Sequence, residues 1–220
     1  MLAPVLGIDV AKQRIEVALL VDAKVRNRSF KNTPDGFESL ALWLRKWGVE
    51  RVAACLEATG NYGEDVALYL HEAGHMVSVV NPARIKGFAQ SELIRTKTDK
   101  IDAGVIARFC LAMNPELWIP PSLEVRALRA LSRRVDSLIG MLTQEKNRLG
   151  SAHESILPLI KGHMDYLDAE IEKVRDEIAD LIDADPDLRH KKELLASIPG
   201  IGKATIPVIL AEMDKFERFK

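Results

Sequence analysis

Four acids stand where core elements begin or end: Asp9 inside the first apolar strand, Glu57 at the tip of a later one, and Asp99 and Asp102 at a helix start. A spacing of three puts the last two on one side of a single helical turn. Breaking or transferring a phosphodiester requires charge to be neutralised on both the attacking and the leaving oxygen. Two Mg²⁺ ions about 3.5–4 Å apart do this, and clustered carboxylates hold them because Mg²⁺ takes oxygen ligands. Without metal, four close carboxylates repel one another, so the set makes chemical sense as a two-metal site. Asp99 and Asp102 could also serve only the helix dipole. Asp9, between Ile8 and Val10, has few structural alternatives.

The elements that must position these acids are legible as α/β over roughly the first 118 residues. Val5–Val10, Arg14–Val21 and Lys24–Lys31 read as three consecutive strands, followed by a helix capped by Thr33 with Pro34 in its first turn. That helix is expected to turn Phe37, Leu40, Leu44 and Trp47 inward and to stop at Gly48. Val52–Leu56 is a continuous apolar run of the kind found in buried central strands, ending at Glu57. A helix over about Tyr62–Ala73, a strand over Met76–Val80 and a helix over Asp99–Met113 follow. Ile119-Pro120-Pro121-Ser122 reads as a linker.

Beyond it the period changes. Leu128, Leu131, Val135, Leu138 and Leu142 step by three and four, as do Leu157, Ile160, Met164, Leu167, Ile171, Val174, Ile178 and Leu181. This favours a helical hairpin or coiled coil over residues 119–186. In residues 187–220, Ile198-Pro199-Gly200-Ile201-Gly202-Lys203 reads as a glycine hairpin between helices. Its backbone N–H groups suit a phosphate oxygen in a sequence-independent contact, with Lys203 adding charge; a tight turn without any ligand is the alternative.

A net charge of −1 hides an uneven distribution. Residues 84–100 hold five basic and two acidic residues, 123–148 six and three, and 161–185 three and nine. Phosphates respond to the local field, so the basic stretches, with Arg95, Lys97 and Lys100 beside the acids, are candidate nucleic-acid contacts. No run approaches the ~18–20 apolar residues of a membrane span, and the N-terminus lacks a signal-peptide pattern, so a cytoplasmic protein is expected. Cys55 and Cys110 lie in apolar stretches and read as small core residues. Asp9 would also suit an actin-like ATPase, but the glycine-rich phosphate loops of that class are missing.

Several segments in order resemble the IS110/IS1111-type insertion-sequence transposases and their Piv invertase relatives. They are Leu6-Gly7-Ile8-Asp9-Val10, Glu57-Ala58-Thr59-Gly60-Asn61-Tyr62-Gly63, Asn81-Pro82, Thr96-Lys97-Thr98-Asp99-Lys100-Ile101-Asp102-Ala103, and Ile198-Pro199-Gly200-Ile201-Gly202. The resemblance implies a RuvC-like, ribonuclease H-like N-terminal domain with Asp9, Glu57, Asp99 and Asp102 as its DEDD metal ligands. It also implies an assembly-mediating coiled coil that makes the protein a homo-oligomer, and a C-terminal transposase region. DNA and a structured non-coding RNA are the implied partners. In that family a C-terminal serine attacks DNA; no serine here lies in a matching context, which leaves the nucleophile outside this sequence. A RuvC-like nuclease or junction resolvase using water, and a catalytically incomplete binding and assembly module, are the competing readings.

Overall fold

The computed structural model describes residues 4–22, 24–58, 62–92 and 99–212, without the side chains of residues 99–101. Arg95 and Lys97 therefore lie outside the described residues, as do the side chains of Asp99 and Lys100. Two compact units divide at Pro120/Pro121.

The first unit is built on one mixed five-stranded sheet in the order β3-β2-β1-β4-β5. β1 (Val5–Val10), β2 (Arg14–Val21) and β3 (Lys24–Lys31) form an antiparallel meander, and β4 (Ala53–Glu57) and β5 (Met76–Val80) add in parallel beside β1. This is a ribonuclease H-like arrangement. The parallel strands are apolar because both their faces are covered. On one face, α1 (Pro34–Lys46) and α2 (Glu64–Glu72) pack with Leu6, Ile8, Ile15, Val17 and Leu56. On the other, α3 (Pro82–Ser91) and α4 (Asp99–Met113) pack with Val5, Ala18, Cys55 and Val80.

Local chemistry explains the boundaries. Thr33 caps α1, its hydroxyl accepting from the Gly36 amide, and Pro34 supplies the preset φ of a first turn. Trp43, not Trp47, completes the buried stripe Phe37–Leu40–Leu44. Trp47 falls past the last turn and is 41% exposed. Asn81 accepts from the Ala83 amide and starts α3, a helix that sequence periodicity leaves unassigned although the Asn-Pro signal announces it. Cys55 and Cys110 are free and buried, as expected of core residues. The Cys55 thiol donates a hydrogen bond to Cys110, which, reinforced by burial, pushes its pKa well above the ordinary range, so it stays protonated.

The second unit is helical: α5 (Leu123–Leu149), α6 (Leu157–Ala184), α7 (Pro186–Ala196) and α8 (Thr205–Glu212). α6 folds back along α5 as a hairpin, burying Leu128, Leu138, Leu142, Leu167, Ile171, Val174 and Ile178. Glu145, which breaks the apolar register, is buried at the tip of this hairpin. Its carboxylate takes Arg148 at 2.7 Å and His163 across the pair at 3.1 Å, which compensates its desolvation. Asp185 ends α6 and caps α7 through the Leu188 amide.

Candidate active site

The parallel register of β1 and β4 runs from Val5↔Ala53 to Ile8↔Leu56. One step further along the same register, Asp9 and Glu57 come side by side, about 4.8 Å apart strand to strand, with side chains on the same face. That face is the one α4 covers, because Gly7 and Cys55, two residues earlier on each strand, both meet α4. A Cβ on Gly7 would collide with the backbone of Ala103 and Ala107. The Cys110 thiol, near the end of α4, reaches the Ala53 carbonyl at 3.9 Å at the start of β4. α4 therefore runs opposite to β1 and β4, and its first turn lies over the ends of the strands that carry Asp9 and Glu57. Position 99 precedes Ala103 by one turn on the sheet-facing stripe, and Asp102 is half-buried beside it.

The structure thus brings Asp9 and Glu57 together on adjacent strands and sets the α4 start at the same end of the sheet. Among the described residues no three His, Cys, Asp or Glu side chains gather closely enough to hold a metal ion. The chemistry of the donor pair nonetheless fits a divalent cation: two hard oxygen donors on a rigid, half-buried sheet end. Gly200, Gly202 and Lys203 belong to the second unit. Gly200 has φ +92°, a left-handed turn that only glycine adopts without strain. The Gly202 carbonyl accepts from the Thr205 and Ile206 amides as α8 begins, and a Cβ there would meet open space. Lys203 lines a groove of about 720 Å³ whose other walls include Val135, Ile178, Ile182 and Ile206.

Two contributors escape a reading of motifs. Glu16 lies directly across from Asp9 on β2, is only 8% exposed, and is held by Arg14 at 3.5 Å. Three carboxylates therefore line up across β2, β1 and β4, and like charges opposite one another cost stability. Strand alternation alone places Glu16 on the face opposite Ile15 and Val17. Asn32 is the second. Its Nδ2 donates to the Ala11 carbonyl at 3.1 Å and the Tyr62 carbonyl at 2.9 Å, and its own amide donates to the Gln13 carbonyl at 3.0 Å. It joins the turn after Asp9 to the segment after Glu57, a contact between residues 30 apart that no local pattern reveals. We expect Asn32→Ala to cost roughly 1–2 kcal/mol by thermal denaturation. Asn32→Asp, which keeps the shape but loses both donors, is expected to be no better. Full stability in Asn32→Asp would show that this latch does not hold the two segments.

Comparison with known proteins agrees with this geometry. A family profile described as a transposase, of the DEDD IS110 type, matches residues 6–158, and one described as the transposase IS116/IS110/IS902 family matches residues 192–220. The pilin gene-inverting protein of Moraxella bovis is 34% identical over 221 residues, covering 98% of this chain and 67% of the relative. That of Moraxella lacunata is 34% identical over 224 residues, covering 98% and 68%. The DEDD nuclease domain of this family implies a divalent metal ion. A mixed sheet with two acids at its carboxyl end, and matches that together span nearly the whole chain, have one joint meaning: the protein belongs to the IS110-type transposases, enzymes of DNA recombination that include the Piv invertases.

Proposed function

We propose that this protein cleaves and exchanges DNA strands at a site made by Asp9, Glu57, Asp99 and Asp102, with two Mg²⁺ ions as cofactor. The observation that carries the reading is the register of β1 and β4, which sets Asp9 beside Glu57 under the incoming end of α4. Bound there, the ions supply Lewis acidity and neutralise charge on the attacking and leaving oxygens. The chain's own part is to hold the acids in place. Rigid strands orient Asp9 and Glu57, Arg14 offsets the neighbouring Glu16, and Asn32 ties down the segment after Glu57. Arg95, Lys97 and Lys100, close in sequence to Asp99, are assigned to the DNA backbone near the acids. Gly200, Gly202 and Lys203 are assigned to a second backbone contact, supported by the glycine turn at the start of α8. Assembly into a homo-oligomer through the α5–α6 hairpin, a structured non-coding RNA partner and a cytoplasmic location rest on the resemblance and the sequence. Among the described residues no helix is long and apolar enough to cross a membrane.

A thermal-shift titration tests the metal assignment without relying on turnover. A ligand that binds only the folded state at about 100 times its dissociation constant stabilises by about 2.7 kcal/mol. Mg²⁺ or Mn²⁺ is expected to raise the melting temperature of the wild-type protein and to leave Glu57→Gln unshifted. Equal shifts in both proteins would sink the assignment.

A further inference from the structure

We infer that the open edge of the sheet, strand β3, is a docking track for the phosphate backbone of duplex DNA beside the acidic site; this rests on the nucleic-acid reading above. β3 is Lys24-Val25-Arg26-Asn27-Arg28-Ser29-Phe30-Lys31, with four cations and no acid. Its place at the end of the strand order leaves its outer side unpaired among the described residues, whereas residues 115–118 close the opposite edge. There the Trp118 amide donates to the Val77 carbonyl at 2.7 Å and Ser78 Oγ to the Pro115 carbonyl at 3.2 Å.

The cations are arranged, not scattered. Lys24, Arg26 and Arg28 alternate onto one face, opposite Val21, Leu19 and Val17 of β2, so no cross-strand acid neutralises them. Lys24, Arg28 and Lys31 are exposed, and none of them forms an ion pair among the described residues. Arg26 is held by stacking on the half-exposed Trp47 ring at 3.9 Å. That contact brings the last turn of α1, with Arg45 and Lys46, to the same end of the strand.

A lone lysine or two suffices to protect an edge strand from pairing with another chain. Three like charges on one face, in a protein whose net charge is −1, raise self-repulsion beyond that need. A polyanion relieves it. From Lys24 to Lys31 the strand spans roughly 23 Å at about 3.3 Å per residue. Phosphates recur about every 3.4 Å of axis on each DNA strand, so a duplex flank laid along the open edge passes Lys24, Arg26 and Arg28 on one face of the strand and Lys31 on the other. The position is also suitable. The register Asp9↔Glu16↔Ser29 puts the Arg28–Lys31 end of the track level with Asp9, two strands or about 10 Å to the side, with Lys24, Arg26 and Arg28 on the sheet face opposite the acids. DNA held along that edge leaves the face that carries the acids uncovered.

The test is the salt dependence of duplex DNA binding, measured by fluorescence anisotropy in Ca²⁺, between about 50 and about 200 mM salt. Lys24→Gln/Arg28→Gln/Lys31→Gln keeps Arg26 and its packing. If all three cations contact phosphates, the slope of log K against log salt falls by about 2.7, at about 0.9 per contact. A fall of at least about one, with an unchanged circular dichroism spectrum, supports the track. Lys161→Gln/Lys173→Gln/Arg175→Gln on the acidic α6 removes the same three charges as a comparison and is expected to leave the slope alone. The Lys24→Arg/Lys31→Arg variant should bind as the wild type. An unchanged slope in the triple variant overturns the proposal, whether or not that variant self-associates. So does a slope that falls for RNA and not for duplex DNA. Wild-type protein that binds DNA and is stabilised by Mn²⁺, with such a triple variant, removes the track alone; wild-type protein that does neither removes the nucleic-acid reading with it.

Discussion

Asp9→Asn is expected to abolish Mg²⁺-dependent DNA cleavage, by about 10³-fold or more, while leaving the metal-free fold intact. Asp9 lies between Glu16 on β2 and Glu57 on β4, so the sheet holds three carboxylates abreast on the face under α4. Asparagine keeps the size of the side chain and an acceptor oxygen, so packing is not the variable. What it lacks is the charge that holds a hard divalent cation. Metal stabilisation of developing charge at phosphorus is worth several kcal/mol, and each 1.36 kcal/mol is tenfold in rate. A plasmid-cleavage time course with and without Mg²⁺, paired with melting curves in a chelator, reads both quantities. Cleavage at the wild-type rate would remove Asp9 from the chemistry. A loss of metal-free stability would instead mean that Asp9 serves the fold.

The contrast between these acids and other residues shows why part of the site was legible and part was not. Asp9 and Glu57 stand out because a charge within or at the end of an apolar strand violates the local pattern, and such violations mark sites. The strands themselves were readable from apolar runs, alternation along Arg14–Val21 and the turn signals between them, down to the limits of β1, β2, β3 and β5. Strand order was not, since pairing β1 with β4 depends on a crossover through α1 that no local period encodes. Trp47 was misassigned for a related reason. Helical spacing fits it to the inward stripe, but the helix ends at Lys46, and the indole serves Arg26 instead of the core. Asn32 and Glu16 escaped because their roles are tertiary. One bridges two loops, and the other matters only through its register opposite Asp9. Asp99 remains the least tied to structure, since its side chain lies outside the described residues.

Gly7→Ala is expected to be among the most damaging single substitutions in the first unit, although it adds one methyl group. The reason is the kind of atom it would meet. At most glycines an added Cβ finds space or the movable end of a side chain; at Gly7 it meets the carbonyl oxygen of Ala103 and the backbone of Ala107, which no rotamer change can withdraw. α4 must lift from β1 as a body, loosening the packing of Val105, Ile106, Phe109 and Cys110, all at most 6% exposed. Overpacking of this kind typically costs 1–3 kcal/mol, and a helix backbone that cannot yield argues for about 3 kcal/mol or more. The same displacement carries the first turn of α4 away from Asp9 and Glu57, so the response to Mn²⁺ should weaken beyond what lost stability explains. Gly202→Ala is the fitting comparison. Its Cβ would meet open space and its φ is ordinary, so stability should change by less than about 0.5 kcal/mol. Gly200→Ala, forced to φ +92°, should fall between the two, at roughly 1–2 kcal/mol. Melting temperatures in the order Gly202→Ala, Gly200→Ala, Gly7→Ala from highest to lowest would tie stability and metal response to the seat of α4 on β1. A Gly7→Ala protein that melts with the wild type would mean that the helix bearing Asp99 and Asp102 is not seated on Gly7, and the four-acid site would lose its geometric basis.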